Sequence, residues 1–471
     1  MRDDDVPLCV DMDGTLVLGD LGVESVLALV RRNPLYVFVL PFWLMRGLAH
    51  LKREVARRVE LDVTRVPCDE RVVEWLRGQS RRPRLLCTAS DASLANAFAA
   101  HVGLFDAVIA SDGVTNLSGS RKAAALVARY GEHGFDYAGN AHADIAVWAH
   151  ARQAIVVNAL AGVLRAAQAQ GRVDRVFARA GGAWRETWRT LRPHQWAKNL
   201  LVFVAPLAAH RADAMSARHA LVAFAAFCLC ASAAYVLNDL LDLDADRRHP
   251  RKRLRPFASG RLSLLAGLFA TPILTLAAFA LAAMLSGEFV ATLFAYGTTT
   301  LAYSLWLKRL PVVDVLVLAT LYTLRIVGGG VAIPVDVSGW LLAFSMCLFL
   351  GLAMLKRDTE IARMQATPDA ALSGRGYRVR HRGAIRALGV AAGIGAVGVL
   401  ALYIDSTKSA ALYAHQHRLW WLVPLLAAWI ARLWRLAARG RMHDDPIVFA
   451  LTDVASLVAL LLGAGIVFAA L

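Results

Sequence analysis

Paired cysteine and histidine motifs are missing from this sequence. Its six cysteines show no CxxC spacing and no His-rich tract accompanies them, so a zinc ribbon and a disulfide scaffold are both excluded. Two of them, Cys228 and Cys230, lie inside an apolar block and read as small buried hydrophobes in a reducing compartment. Charge is also scarce. Asp, Glu, Lys and Arg make up 19% of the chain against about 25% in a typical soluble domain, while apolar residues reach 57%. This excludes a disordered chain and argues against an ordinary soluble enzyme. Acidic residues thin out along the sequence. Residues 1–150 hold 17 Lys/Arg and 19 Asp/Glu, whereas residues 151–471 hold 35 and 17, within a net charge of +16. The opening MRDDDVPLCVDMDG lacks the basic and apolar regions of a secretory signal.

A basic, apolar second half suits a membrane protein with its cations on one side, or one that handles anionic substrates. No nucleic-acid partner is expected, because most of the cations sit in short loops between apolar blocks. The first part reads differently. A short apolar run, Val6 to Val10, stops at Asp11-Met12-Asp13-Gly14-Thr15, and a second, Leu85-Leu86-Cys87, stops at Thr88-Ala89-Ser90. Weaker strand candidates are Ala107–Ala110, Phe135–Ala138 and Ala154–Val157, with helical patterns between them. That alternation predicts an α/β domain with a parallel sheet, whose ligands bind at the carboxyl ends of strands. Both polar stops fall there.

Two carboxylates two residues apart at a strand end have a clear use. One attacks phosphorus as a nucleophile, and the other serves the leaving oxygen as an acid. The DxDGT sequence resembles the first motif of the haloacid dehalogenase (HAD) superfamily, and the resemblance covers about residues 5–165. It includes Thr88, Lys122 within SGSRKAAAL, and Gly139-Asn140-Ala141-His142-Ala143-Asp144 in place of the acidic metal motif. The resemblance implies a Rossmannoid domain over 1–165 with a helical cap at about 19–80. It makes Asp11 the nucleophile and Asp13 the acid/base, with Thr88 and Lys122 on the phosphoryl oxygens. It also implies Mg²⁺ on Asp11, the Asp13 carbonyl, Asn140 and Asp144. Asn140 departs from the family pattern, which has Asp there; a neutral amide oxygen still ligates a hard cation. The cap holds LYVFVLPFWLMRGLAHL, residues 35–51, interrupted by Pro41 and Arg46. This run is a poor spanning helix. It reads either as cap core or as a segment that dips into a membrane face.

Residues 166–198 are expected to be an amphipathic linker, with Trp184, Trp188 and Leu191 at helical spacing among arginines. Beyond it we count nine apolar blocks, roughly 199–211, 217–237, 262–286, 288–306, 311–333, 338–355, 384–404, 418–437 and 447–470. Most approach the roughly 20 residues that a spanning helix needs. Residues 199–471 are therefore expected to be an all-α polytopic membrane domain of nine helices. The loops and helix ends on one side carry 21 Lys/Arg and those on the other carry four. The positive-inside rule then places the N-terminal domain in the cytoplasm, at a bacterial-type inner membrane.

The second block runs into Asn238-Asp239-Leu240-Leu241-Asp242-Leu243-Asp244-Ala245-Asp246, which puts Asn238, Asp239, Asp242 and Asp246 on one helical stripe. Carboxylates so placed repel one another unless cations bridge them to a diphosphate. Arg247, Lys252 and Arg255 follow, suited to phosphate oxygens. NDxxDxxxD after a second membrane helix resembles the first aspartate-rich motif of the UbiA superfamily. Further segments resemble its decaprenyl-phosphate phosphoribosyltransferase branch: RPHQWAKN from Arg192, YSLWLKRLPVVDVLVLATLYTLRIVGGG from Tyr303, and KRDTE from Lys356.

That likeness implies a phosphoribosyl diphosphate donor, a polyprenyl phosphate acceptor and Mg²⁺ on Asn238, Asp239, Asp242, Asp246 and Asp314. Asp239 and Asp242 become catalytic. Lys198, Asn199, Arg247, Lys252, Arg255, Tyr303, Lys308, Arg325, Lys356, Arg357, Glu360 and Tyr377 become substrate-binding. The segment 375–386 reads as a flap over the site or as a plain basic loop. A phosphoribosyl lipid still carries a 5-phosphate, which the first domain is expected to remove. Two rivals stand beside this reading: an aromatic prenyltransferase fed by a prenyl diphosphate, and a non-catalytic transporter or lipid-binding scaffold. The membrane lipids are partners in each. Homo-oligomers are allowed, and the sequence fixes no oligomeric state.

Overall fold

The computed structural model describes residues 6–179, 181–211, 213–364, 375–442 and 446–471. The chain forms two compact units. One is Met1–Leu191 with Tyr235–Thr271, and the other is Arg192–Ala234 with Pro272–Leu471.

The first unit begins with β1 (Leu8–Val10) and four helices, α1 (Leu21–Arg32), α2 (Tyr36–Met45), α3 (Leu48–Ala56) and α4 (Glu70–Arg77). Strands and helices then alternate: β2 (Arg84–Asp91), α5 (Ala92–Val102), β3 (Ala107–Ser111), α6 (Ser120–Tyr130), β4 (Asp136–Gly139), α7 (Ile145–Trp148), β5 (Ala154–Val157), α8 (Ala161–Ala169), β6 (Val173–Phe177) and α9 (Ala183–Leu191). The strands pair in the order β3-β2-β1-β4-β5-β6, all parallel. Side chains alternate between faces. Leu8, Val10, Leu86, Ala138, Ile155 and Val157 build one core, and Cys9, Leu85, Cys87, Tyr137, Ala154 and Val156 build the other. Helices cover both faces, as a parallel sheet requires. The strand order reverses at β1, where an open α/β sheet leaves its crevice.

Two expectations change here. The stretch 166–198 is not all linker, because β6 joins the sheet edge beside β5. Its signal was weak since Asp174, Arg175 and Val176 are exposed and only its ends are partly covered. The apolar run of the cap is two short helices, α2 and α3, separated by Gly47 at φ +108°. Every residue of α2 is apolar apart from the Tyr36 hydroxyl and the Trp43 indole N–H, and none of its side chains is buried.

The chain continues through α10 (Val204–Ala208) and α11 (Ala214–Leu241) to α12 (Leu243–Arg248). The last turns of α11, from Tyr235, and α12 belong to the first unit. The second unit is completed by α13 (Leu264–Ala283, from Pro272), α14 (Gly287–Leu305), α15 (Val313–Ala332), α16 (Gly339–Ala362), α17 (Arg382–Ile404), α18 (Thr407–Leu412), α19 (Leu422–Ala438), α20 (Pro446–Thr452) and α21 (Val454–Ala470). Its core packs Phe227 edge-on against Phe289 and Tyr296, with ring centroids 5.9 and 5.0 Å apart. Close approach depends on glycine. A Cβ at Gly329 would lie 1.9 Å from the Val202 carbonyl oxygen, so that point admits no side chain.

Among the described residues, six helices are long and apolar enough to cross a membrane: Ala214–Leu241, Leu264–Ala283, Val313–Ala332, Gly339–Ala362, Val379–Ile404 and Gln416–Ala438. A seventh arises if α20 and α21, bent by 78°, are one broken span. Nine such helices are not found among the described residues. The block at 199–211 is a 3₁₀ stretch, Pro193–Phe203, followed by the five-residue α10. The block at 288–306 is α14, whose 19 residues include Glu288, Gly297, Thr298-Thr299-Thr300 and Ser304.

Candidate active sites

The ends of β1, β2 and β4 converge in the first unit. Asp11 follows β1 and its N–H donates to the Ala138 carbonyl at 2.9 Å. Gly14 turns the chain at φ +75°, and a Cβ there would lie 2.0 Å from Asn140 Nδ2. Asp13 Oδ1 accepts from the Leu21 N–H at 2.8 Å, and its Oδ2 accepts from Ser90 Oγ at 2.6 Å. Lys122 Nζ reaches in from α6 and donates to Asp11 Oδ1 and the Tyr137 hydroxyl, each at 2.7 Å. The Tyr137 hydroxyl in turn donates to Asp144 Oδ1 at 2.8 Å, while Asp144 Oδ2 accepts from the N–H groups of Asn140 and Ala141. Thr88 is fully buried at the end of the same cluster and its Oγ1 accepts from Ser90 N–H.

Burial dominates the electrostatics. It raises the Asp11 carboxyl to about 6, with Lys122 pulling the other way and Asp144 adding to the rise. It raises Asp13 to about 7, helped by the charge of Asp20 and opposed by the Ser90 hydrogen bond. Burial works against the charge of Lys122, but Asp11 and Asp144 outweigh it and lift this lysine above its usual range. One carboxylate is therefore paired with a cation, and its neighbour holds a proton near neutrality. Such a division suits a nucleophile beside a general acid.

Lys52 completes this cluster and was not anticipated. It comes from α3, and its Nζ donates to the Ala89 carbonyl at 2.6 Å and to Asn116 Oδ1 at 3.2 Å. Burial lowers its pKa against the pull of Asp20 and Asp13. Nothing in its local sequence marks it, whereas Ser90 lay in the polar stop already noted. For a cation, the fit rests on Asn140. Its Oδ1 is buried without a hydrogen-bond partner, beside Gly14 and one residue past β4. An orphaned buried amide oxygen has the donor chemistry that a hard divalent ion takes.

The acidic motif lies at the end of α11. The helix breaks at Asp242, yet the i,i+4 bonds persist: Asp242 N–H to Asn238 carbonyl at 2.9 Å, and Asp246 N–H to Asp242 carbonyl at 2.8 Å. The expected stripe therefore survives the break. Asp239 and Asp246 are buried and share Arg255, at 3.0 and 2.6 Å. Asp242 meets Arg31 of α1 at 2.5 Å. Arg247 closes a two-bond ion pair with Glu24 of α1, at 2.7 Å each, and also donates to the Ala258 carbonyl. Arg247 is thus held by protein partners, while Lys252 sits exposed in the turn Lys252–Leu254. Among the described residues no three His, Cys, Asp or Glu side chains already form a metal cage. The chemistry of the stripe, three carboxylates and an amide, fits a hard cation, and guanidinium groups stand in for its charge.

In the second unit two buried cations organise the polar interior. Arg357 binds Asp314 at 2.6 and 3.1 Å, the Tyr303 hydroxyl at 3.2 Å, and Glu360. Arg375 adds bonds to Asp314 and Tyr303, each at 3.1 Å. Asp314, expected to bind metal, is here the shared partner of two arginines. The Tyr377 hydroxyl accepts from the Val312 N–H at 2.9 Å, which ties the basic segment to the start of α15. Arg325 behaves differently. Its partners are Asn199 Oδ1 at 2.8 Å, the Leu321 carbonyl, the Tyr296 hydroxyl at 2.8 Å, and the faces of Tyr296 and Tyr322. All are neutral, so this buried guanidinium keeps a net charge among the helices. Lys198 is buried one residue before Asn199, whereas Lys308 and Lys356 lie on the turn Leu307–Arg309 and on α16.

Comparison with known proteins fixes the class. The UbiA prenyltransferase family profile matches residues 199–469. The chain belongs to the UbiA prenyltransferase family. It is a multi-pass membrane transferase of that family, and its relatives carry informative names. Uncharacterized protein y4nM of Sinorhizobium fredii is 33% identical over 460 residues, covering 96% of this chain and 88% of the relative. Nodulation protein NoeC of Azorhizobium caulinodans is 38% identical over 279 residues, 59% of this chain and 91% of NoeC. Decaprenyl-phosphate phosphoribosyltransferase of Mycolicibacterium smegmatis is 30% identical over 272 residues, 56% of this chain and 86% of that enzyme. A UbiA homologue from Archaeoglobus fulgidus solved with GPP and Mg²⁺ is 17% identical, with a TM-score of 0.46 over 60% of this chain and 99% of the homologue.

Proposed function

We propose that the UbiA-family part of this chain transfers a 5-phosphoribosyl group from phosphoribosyl diphosphate to a polyprenyl phosphate. The observation that carries the reading is the 30% identity to decaprenyl-phosphate phosphoribosyltransferase of Mycolicibacterium smegmatis over 272 residues. An oxygen of the lipid phosphate attacks the anomeric carbon, the bond from that carbon to the diphosphate breaks, and diphosphate leaves with the electron pair. Asn238, Asp239, Asp242 and Asp246 would hold Mg²⁺, which supplies charge neutralisation to the departing diphosphate. Arg255 and Lys252 take phosphate oxygens. Arg325, with Asn199 and Lys198, is a buried cation suited to an anionic substrate, since a charge kept inside a bundle is costly without a use.

In the same proposal residues 1–165 are a HAD-type phosphatase domain that removes the 5-phosphate. Asp11 attacks phosphorus, and the bond to the ribose 5-oxygen breaks as Asp13 delivers its proton there. Water then hydrolyses the aspartyl phosphate, with Asp13 taking the proton. Thr88, Lys122 and Lys52 hold the phosphoryl oxygens. Mg²⁺ on Asp11, the Asp13 carbonyl, Asn140 and Asp144 would screen the phosphate charge from the nucleophile. The exposed apolar α2 lies in the lipid surface and presents this site to a lipid-linked substrate.

Both chemistries on one chain raise the local concentration of the second catalyst for a membrane-bound intermediate. A donor assay tests the transfer. Membranes containing the protein should label polyprenyl phosphate from phosphoribosyl diphosphate, and should not label an aromatic acid from a prenyl diphosphate. Labelling of the aromatic acid instead would replace this reading with the aromatic prenyltransferase. No turnover on either donor would favour a scaffold.

A further inference from the structure

Helix α1 carries three separate ties along its length of about 18 Å. Its first N–H, on Leu21, donates to Asp13 at the strand-end site. Also in its first turn, Glu24 grips Arg247 through both oxygens, and both side chains are under one-tenth exposed. In its last turn, Arg31 sits 2.5 Å from Asp242 and donates to the Leu241 carbonyl at 2.6 Å. The side chains of this last pair are 31% and 18% exposed.

The two ion pairs differ in what opening them would cost. Separating Glu24 from Arg247 would strand two dehydrated charges, which is strongly unfavourable. Separating Arg31 from Asp242 returns both groups to water that already reaches them, and pairs of this kind contribute little. One tie is therefore permanent and the other is exchangeable. Asp242 is the central carboxylate of the stripe, one turn from Asn238 and one from Asp246.

We propose that Arg31 is a positioning residue of the acidic motif, acting as a removable countercharge. It holds the Asp242 carboxylate in place while the stripe is without a cation, and it releases that carboxylate when a divalent ion arrives. The Glu24–Arg247 pair keeps α1 docked throughout, so the exchange needs only a side-chain movement. Arg31 stands 211 residues before Asp242 in the chain, which is why no local motif announces it. The inference rests on the reading of the stripe as a divalent-cation site.

Mn²⁺ titration of the full-length protein in lipid nanodiscs, followed by electron paramagnetic resonance, tests it without any turnover. The relevant signal is the binding component that Asp242→Asn abolishes. Arg31→Gln should tighten that component by about two- to fivefold, the size expected when a partly exposed competing cation is removed. Arg31→Lys, which keeps the charge, should stay near the parent value. Thermal melting should be unchanged in Arg31→Gln and lowered in Glu24→Gln, which separates a countercharge from a structural tie. Unchanged or weakened Mn²⁺ binding in Arg31→Gln overturns the proposal while leaving the cation site intact. Absence of any Asp242-dependent component, in the parent protein as in the variants, overturns the cation site and this proposal together.

Discussion

The strand-end carboxylates of the first unit and the helix-end carboxylates at α11 are both suited to phosphate, and they are built in opposite ways. Asp11 and Asp13 follow β1 and Asp144 follows β4; Asp11 and Asp144 are buried, and the three are held by Lys122, Ser90, Tyr137 and backbone N–H groups. Asp239, Asp242 and Asp246 come from one continuous stretch, and their ion-pair partners include Arg255 and Arg31. A largely buried cluster tied from several elements is preorganised for one geometry. Carboxylates held by guanidinium groups can trade them for another cation. The contrast fits the proposed roles, a phosphatase site fixed in advance and a diphosphate site completed by metal and substrate.

The largest test of that contrast is Lys122→Met. Breaking a buried ion pair from one side leaves Asp11 and Asp144 uncompensated, which costs about 3–5 kcal/mol. Phosphomonoesterase activity should vanish and the first unit should melt earlier, read by a chromogenic phosphate ester and by thermal unfolding. Next, Asp11→Asn should cut phosphatase turnover by at least about a thousandfold, on the scale of losing a nucleophile, with labelled 5-phosphorylated lipid accumulating. Asp242→Ala should do the converse: lipid labelling from phosphoribosyl diphosphate falls by about a hundredfold or more, while hydrolysis of a soluble phosphate ester is unchanged. Lys52→Ala should weaken substrate binding by about tenfold, the worth of one charge-assisted hydrogen bond, seen in KM more than in kcat. The smallest effect is expected from Phe42→Ser with Trp43→Ser. Activity on a lipid phosphate should drop a few-fold, and activity on the soluble ester should persist.

Features that are contiguous were readable from the sequence. The DxDGT turn, the NDxxDxxxD stripe and the apolar runs carry their meaning within a few residues, and so β1, β2 and the stripe stand where their residues implied. Features set by distant partners were not. Lys52 looks like any surface lysine of an amphipathic helix until α3 brings it to Ala89 and Asn116. Arg31 looks like a helix-ending cation until it meets Asp242. Asp314 was expected to be free for metal, and only the fold shows that Arg357 and Arg375 converge on it. The excess of expected spans has the same root. Apolar content flagged 199–211 and 288–306, but composition alone does not report a 3₁₀ stretch or a threonine-interrupted helix.

The most direct measurement uses phosphoribosyl diphosphate labelled with ¹⁴C in the ribose and ³²P at the 5-phosphate, given to membranes with polyprenyl phosphate and Mg²⁺. The account predicts that the lipid gains ¹⁴C, that ³²P appears as inorganic phosphate, and that Asp11→Asn keeps both labels together on the lipid. A lipid that never gains ¹⁴C, or gains it equally with the cation chelated, would contradict it.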